Sequence, residues 1–156
     1  MKPTVTHSTF SIERSYPAAP ERVFAAFSDP EKKRRWFVEA HNIQPESHQM
    51  DFRVGGTERT QSKLGPQTPF PGVALVNDTT YLDIEPGRRL AFAYSMSVGG
   101  RRISASLATV EMIPSETGTH LIFTDQGAYF EGADGPAMRE RGWSSLLDGI
   151  AREVSD

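Results

Sequence analysis

Asp125 and Gln126 close a strand-like run just before a segment that carries Tyr129 and Phe130. A carboxylate at such a place, partly withdrawn from water, has a raised pKa and can act as a general acid or base. One of the two residues facing solvent while the other holds the loop by hydrogen bonds accounts for the same pair. Tyr94 and His41 are the other candidates for proton transfer, and Tyr94 and Trp143 each have a polar tip that needs a partner when buried. Asp51 and Arg53 read as neighbours on one strand face, opposite Phe52 and Val54. They are either an ion pair or carboxylate-binding group at a pocket, or a structural pair on the outer sheet face, which is the favoured reading.

The aromatic residues Trp36, Phe37, Phe52, Phe92, Tyr94, Tyr129, Phe130 and Trp143 are the candidate lining of a ligand site, with Arg53, Asp125, Gln126 and His41 as its polar groups. Apolar pockets with a few placed polar groups are the usual design of small-molecule sites. Core packing explains each of these aromatics taken singly.

Other chemistries find little support. There is no cysteine, which excludes disulfides, thiolate nucleophiles and cysteine–zinc sites. His7, His41, His48 and His120 follow no metal-ligand spacing, so no metal is expected. Gly55-Gly56 and Gly99-Gly100 are turn glycines, since no helix comes after them to receive a phosphate. No serine stands in a nucleophile-elbow sequence, and no cofactor is expected. Lys32 to Arg35 is a basic run beside Trp36, but with a net charge of −3 a solvated helix face explains it better than nucleic acid or lipid binding.

These residues must be positioned by a single domain spanning 1–156, with 37% hydrophobic and 24% charged residues. Alternating apolar residues Phe10 and Ile12 open a first strand. Two short helices come next, one opened by Pro20 and one running from Glu31 to about Phe37 after Asp29-Pro30. A meander of six strands succeeds them: Gln49–Val54, Thr57–Leu64, Val73–Ile84, the run through Leu90 to Met96, Ile103–Met112 and His120–Gln126. Ala128 to Gly135 reads as a loop. The chain then ends in a long amphipathic helix, Asp134 to Val154, with Asp134 placed to receive its free N–H groups. Trp143, Leu146, Leu147, Ile150 and Val154 make its apolar stripe. The expected fold class is α+β: a curved antiparallel sheet of six to seven strands, with the helices on one side.

Residues 16–24 (Tyr16-Pro17-Ala18-Ala19-Pro20-Glu21-Arg22-Val23-Phe24), Asp29-Pro30-Glu31 and Trp36-Phe37 resemble the opening of the AHSA-like branch (activator of heat-shock-protein ATPase) of the START/Bet v, or SRPBCC, superfamily. Asp51-Phe52-Arg53-Val54-Gly55-Gly56 is similar to its central hairpin, and Gly118 to Thr124 with Gly142-Trp143 to its last strand and terminal helix. The resemblance implies a helix-grip fold, in which a bent sheet wraps the terminal helix and leaves a cavity. It also implies ligand classes such as lipids, plant hormones or polyketides, with cyclase or hydrolase activity in some members. The eukaryotic co-chaperones of this branch carry an additional N-terminal domain with no counterpart before the first strand here, so a chaperone partner is the weaker expectation.

The expected function is binding of a small apolar or aromatic ligand, without a cofactor, in the cavity. The alternatives are a cofactor-independent cyclase, dehydrase or hydrolase in the same cavity, and a protein that contacts a chaperone or forms a homodimer through its sheet edge. Met1 to Phe10 is polar and no run approaches the ~20 apolar residues of a membrane span, so a cytoplasmic protein is expected. The five large stripe residues, at roughly 1.5–3 kcal/mol each, contribute a gross stabilisation comparable to a domain's whole net stability. Truncation before Pro136 is therefore expected to abolish the cooperative thermal transition, as measured by calorimetry.

Overall fold

A computed structural model describes residues 2–40 and 42–155. Strand β1 (Thr6–Tyr16) leads into helices α1 (Pro20–Ser28) and α2 (Pro30–Lys33) and a π-helical turn (Arg34–Val38). Strands β2 (Ile43–Met50), β3 (Thr57–Leu64), β4 (Ala74–Glu85), β5 (Arg89–Val98), β6 (Arg101–Ser115) and β7 (Gly118–Tyr129) come next, then helix α3 (Pro136–Val154). The strands form one antiparallel sheet in the order β1-β7-β6-β5-β4-β3-β2, so only the first strand leaves the meander, crossing over to pair with the last. Register shifts at Pro45/Ser47, Tyr81/Asp83 and Met96/Ser97 mark bulges, which bend strands and increase their twist. The sheet curves around α3 accordingly. No described helix is long and apolar enough to cross a membrane.

Helix α3 is fastened along its length. Trp143, Leu147, Ile150 and Val154 are buried against the sheet and α1, whereas Leu146 is half-buried. The buried Tyr16 hydroxyl donates to the Leu147 carbonyl at 2.7 Å, and Arg14 bonds Asp148 and Ser144. At the far side Arg35 forks onto Glu153, joining the π-helical turn to α3.

Three local expectations are corrected. The strand expected over Gln49–Val54 lies earlier, at Ile43–Met50, and Asp51 to Gly56 form a turn. Gly55 has φ +83°, and a Cβ on Gly56 would run into the Asp51 carbonyl, so the chain turns here where only glycines fit. Asp51 and Arg53 thus bond each other within a solvent-exposed turn and share no strand face. The second short helix is α-helical only to Lys33 and then loosens into a π turn, closed by the Glu39 amide on the Arg34 carbonyl at 2.8 Å. Asp134 caps no backbone amide of α3; its carboxylate is engaged by Arg139.

The basic run is also not uniformly solvated. Lys33 is buried, its ammonium 2.9 Å from Glu58 on β3 and lying over the rings of Phe37 and Trp36. Glu58 is buried too, and it accepts from Tyr81 at 2.5 Å while His48 lies 2.7 Å away. Burial works to raise the Glu58 pKa, but the Lys33 charge and the hydrogen bonds from His48, Tyr81 and Lys33 outweigh it, holding the carboxyl down to about 2. This depressed carboxylate stabilises the fold above its ordinary value of 4.5, and the contribution is lost as pH falls toward 2. Lys33→Met, which leaves Glu58 buried beside Tyr81 and His48 but without the Lys33 charge, is expected to cost about 3–5 kcal/mol in urea denaturation at neutral pH. Adding Glu58→Gln should recover much of it and remove the acid-dependent part of the loss.

Candidate functional site

Helix α3 meets the sheet firmly at its C-terminal half and stands off at its N-terminal half, where a cavity of about 340 Å³ opens. Its floor is β3, β4 and β5, with Thr60, Ser62, Leu75, Asn77, Tyr94 and Met96. The roof is Phe37 and Val38 from the π-helical turn with Met138, Gly142, Trp143 and Leu146 from α3. Most of this lining is apolar. Thr60 and Ser62 belong to the inward face of a strand whose sequence, Thr57 to Leu64, has no apolar residue before its last, so the sheet turns hydroxyls toward the helix there.

One corner of the cavity is strongly polar. Tyr94, Arg139 and Trp143 all line it, and the latter two converge on the Tyr94 oxygen. The Trp143 indole N–H donates to that oxygen at 3.0 Å and Arg139 Nη1 at 3.3 Å, while the phenol donates to Asp125 at 2.5 Å. Arg139 is buried and forks onto Asp134 at 2.8 and 2.9 Å, with a further bond to Ser104 at 2.9 Å. Its guanidinium also lies 5.1 Å from the centre of the Tyr129 ring. Gly127 admits that ring, since a Cβ there would stand 2.9 Å from it.

Asp125 is fully buried behind Tyr94, and its second carboxylate oxygen has no hydrogen-bond partner among the described residues. Nor do the buried hydroxyls of Ser106 and Tyr129, which flank it. Burial pushes the Asp125 pKa up, against the Tyr94 hydrogen bond and the Arg139 charge, which pull it down. Burial likewise raises Tyr94 above the ordinary tyrosine value, and the nearby Asp125 charge adds to this. Among the described residues no group of three or more His, Asp or Glu is placed to hold a metal ion.

Of the sequence candidates, Phe37, Tyr94 and Trp143 stand on the cavity wall. Trp36 is buried in the core, edge-on to Phe27, with its indole N–H on the Ala26 carbonyl at 2.7 Å. Phe52 packs between Phe24 and Tyr81, and Phe92 between Tyr81 and Trp143, away from the lining. Tyr129 lies beneath Arg139, and Phe130 is half-buried at the end of β7. Arg53 and Gln126 point to solvent, and His41 lies outside the described residues. Sequence reasoning missed Arg139, although a signal existed: it stands four residues before Trp143, on the apolar stripe, where a charge needs partners.

The bent sheet gripping a long terminal helix, with a cavity between, defines the helix-grip class of α+β protein. Within it the chain belongs to the family described as Activator of Hsp90 ATPase homolog 1-like protein, which matches residues 17–155. A Rhizobium leguminosarum protein is similar over 96% of this chain and 95% of its own, with 38% identity and TM-score 0.86. The Mll3558 protein of Rhizobium loti is 43% identical over 96% and 99%, with TM-score 0.84. An AHSA1-like protein from Aeromonas hydrophila, at 22% identity over 95% and 92% with TM-score 0.70, shares the fold. No curated protein matches the chain.

Tyr94→Phe removes the phenol that partners Asp125, leaving a buried carboxylate poorer in donors. The expected cost is about 1–3 kcal/mol at neutral pH. Because Asp125 titrates higher still in that variant, the deficit should shrink as pH falls and the carboxyl is neutralised; denaturation at two pH values measures it.

Proposed function

We propose that the protein binds a small, largely apolar molecule in the cavity between the sheet and α3. The supporting observation is the cavity itself, roofed by Phe37, Val38, Met138, Trp143 and Leu146, with hydrogen-bonding groups on the floor, in one corner and at Ser145 of α3. At about 340 Å³ it falls near the lower end of the roughly 300–1,000 Å³ typical of ligand sites. That volume suits a compact aromatic or short aliphatic molecule better than a full-length lipid. Binding removes the apolar lining from water, and Tyr94 and Arg139 supply orientation.

Gly142 offers a clean test. It lies on α3 at the cavity roof, and a Cβ there meets nothing within 4 Å. Gly142→Ala should raise stability by about 0.5–1 kcal/mol through helix propensity alone. Gly142→Leu should fold and yet lose binding of phenolics and short fatty acids, read by native mass spectrometry and by quenching of tryptophan fluorescence. Trp143→Phe is expected to remove the ligand-dependent quench, whereas Trp36→Phe leaves it. Undiminished binding by folded Gly142→Leu would overturn the reading.

A further inference from the structure

The Tyr94 corner is more than a wall with a hydroxyl on it. The phenol oxygen receives two donors and gives its proton to a carboxylate that has no exposure to solvent. Of its two incoming bonds, the one from Arg139 Nη1 is the longer, at 3.3 Å. A ligand hydroxyl arriving from the cavity can replace it. The hydroxyl would donate to the Tyr94 oxygen and accept the released Nη1 N–H, so the corner offers an acceptor and a cationic donor side by side. A ligand that only accepts, such as an ether, leaves the Tyr94 lone pair unused.

Behind the phenol, Asp125 faces Tyr94 from β5, Ser106 from β6, Tyr129 from β7 and Arg139 from α3, with Asp134 beyond the guanidinium. Arg139 is already shared with Asp134, so Asp125 is a fully buried carboxyl with no direct bond to the guanidinium, and burial favours its taking up a proton. A negative charge on a ligand oxygen against Arg139 Nη1 would instead sit beside a direct donor.

Resting on the cavity reading above, we propose that this corner selects ligands with an acidic hydroxyl, a phenol or an enol, and holds them as the anion, with Asp125 taking up the proton through Tyr94. The ligand O–H bond breaks and its proton joins the Tyr94 oxygen. The proton that Tyr94 carried moves to the Asp125 carboxylate. The ligand gains one negative charge, Asp125 loses one, and no electrons are exchanged with any other group. Tyr94 is the relay, Asp125 the base, Arg139 the partner of the anion.

Para-nitrophenol is a suitable probe because phenol and phenolate absorb at different wavelengths. The full chain is titrated with it below the pH at which the free probe ionises, with occupancy monitored separately by native mass spectrometry. The expected result is a phenolate spectrum for the bound probe in the wild-type protein. Tyr94→Phe and Asp125→Asn, each checked for folding by circular dichroism, should bind the probe as the neutral phenol. If Asp125→Asn does not fold, Tyr94→Phe and the wild-type spectrum decide the matter. Bound probe that stays neutral in the wild type, or ionises equally in the folded variants, overturns the proposal and leaves the cavity reading intact. No binding of para-nitrophenol while other hydrophobic compounds bind also overturns it. Failure of every compound to bind tells against the cavity reading itself.

Discussion

A single constraint on α3 organises the interior: its apolar stripe stops at Trp143. One turn earlier the same face presents Arg139, and a guanidinium cannot be pressed into a hydrocarbon layer unless its donors find partners there. The helix is therefore seated tightly from Trp143 to Val154 and carried on polar contacts before that. Asp134, Ser104 and Tyr94 meet the charge, Gly142 withholds a side chain, and the layers separate between them. The hollow and the polar corner thus have one cause.

A second buried charge performs the matching task on the opposite side. Lys33, held between Glu58 and the faces of Phe37 and Trp36, attaches the short helical segment to β3. Arg35 then ties the same segment to the end of α3 through Glu153. Both roof elements are consequently positioned by ion pairs in addition to apolar contact, and the buried one is far less screened by salt than surface pairs are.

Much of this architecture could be read from residue patterns. The meander, the prolines that open α1, α2 and α3, and the stripe from Trp143 to Val154 arise from periodicity and local sterics, which act within a few residues. The site was less legible. Phe37, Tyr94 and Trp143 could be proposed as lining residues, but nothing local separated them from Trp36, Phe52 and Phe92, which pack into the core. That distinction depends on where two layers diverge. The Lys33–Glu58 pair was hidden for a related reason: in Thr57 to Leu64 no apolar alternation tells which face is inward, and Lys33 lies in a run of like charges that reads as solvated. Arg139 is the instructive case, since its position on the stripe was visible and only its consequence was not.

The π-helical turn at Arg34–Val38 carries a consequence for relatives of this chain. A π turn is an α turn with one residue inserted, and that added residue swings the succeeding side chains around the helix axis by more than a quarter circle. Here it brings Phe37 and Val38 over the hollow. A homologue one residue shorter at this point would keep the same scaffold but present different side chains overhead. A single-residue gap in an alignment at this point would accordingly mark a change in which side chains roof the cavity.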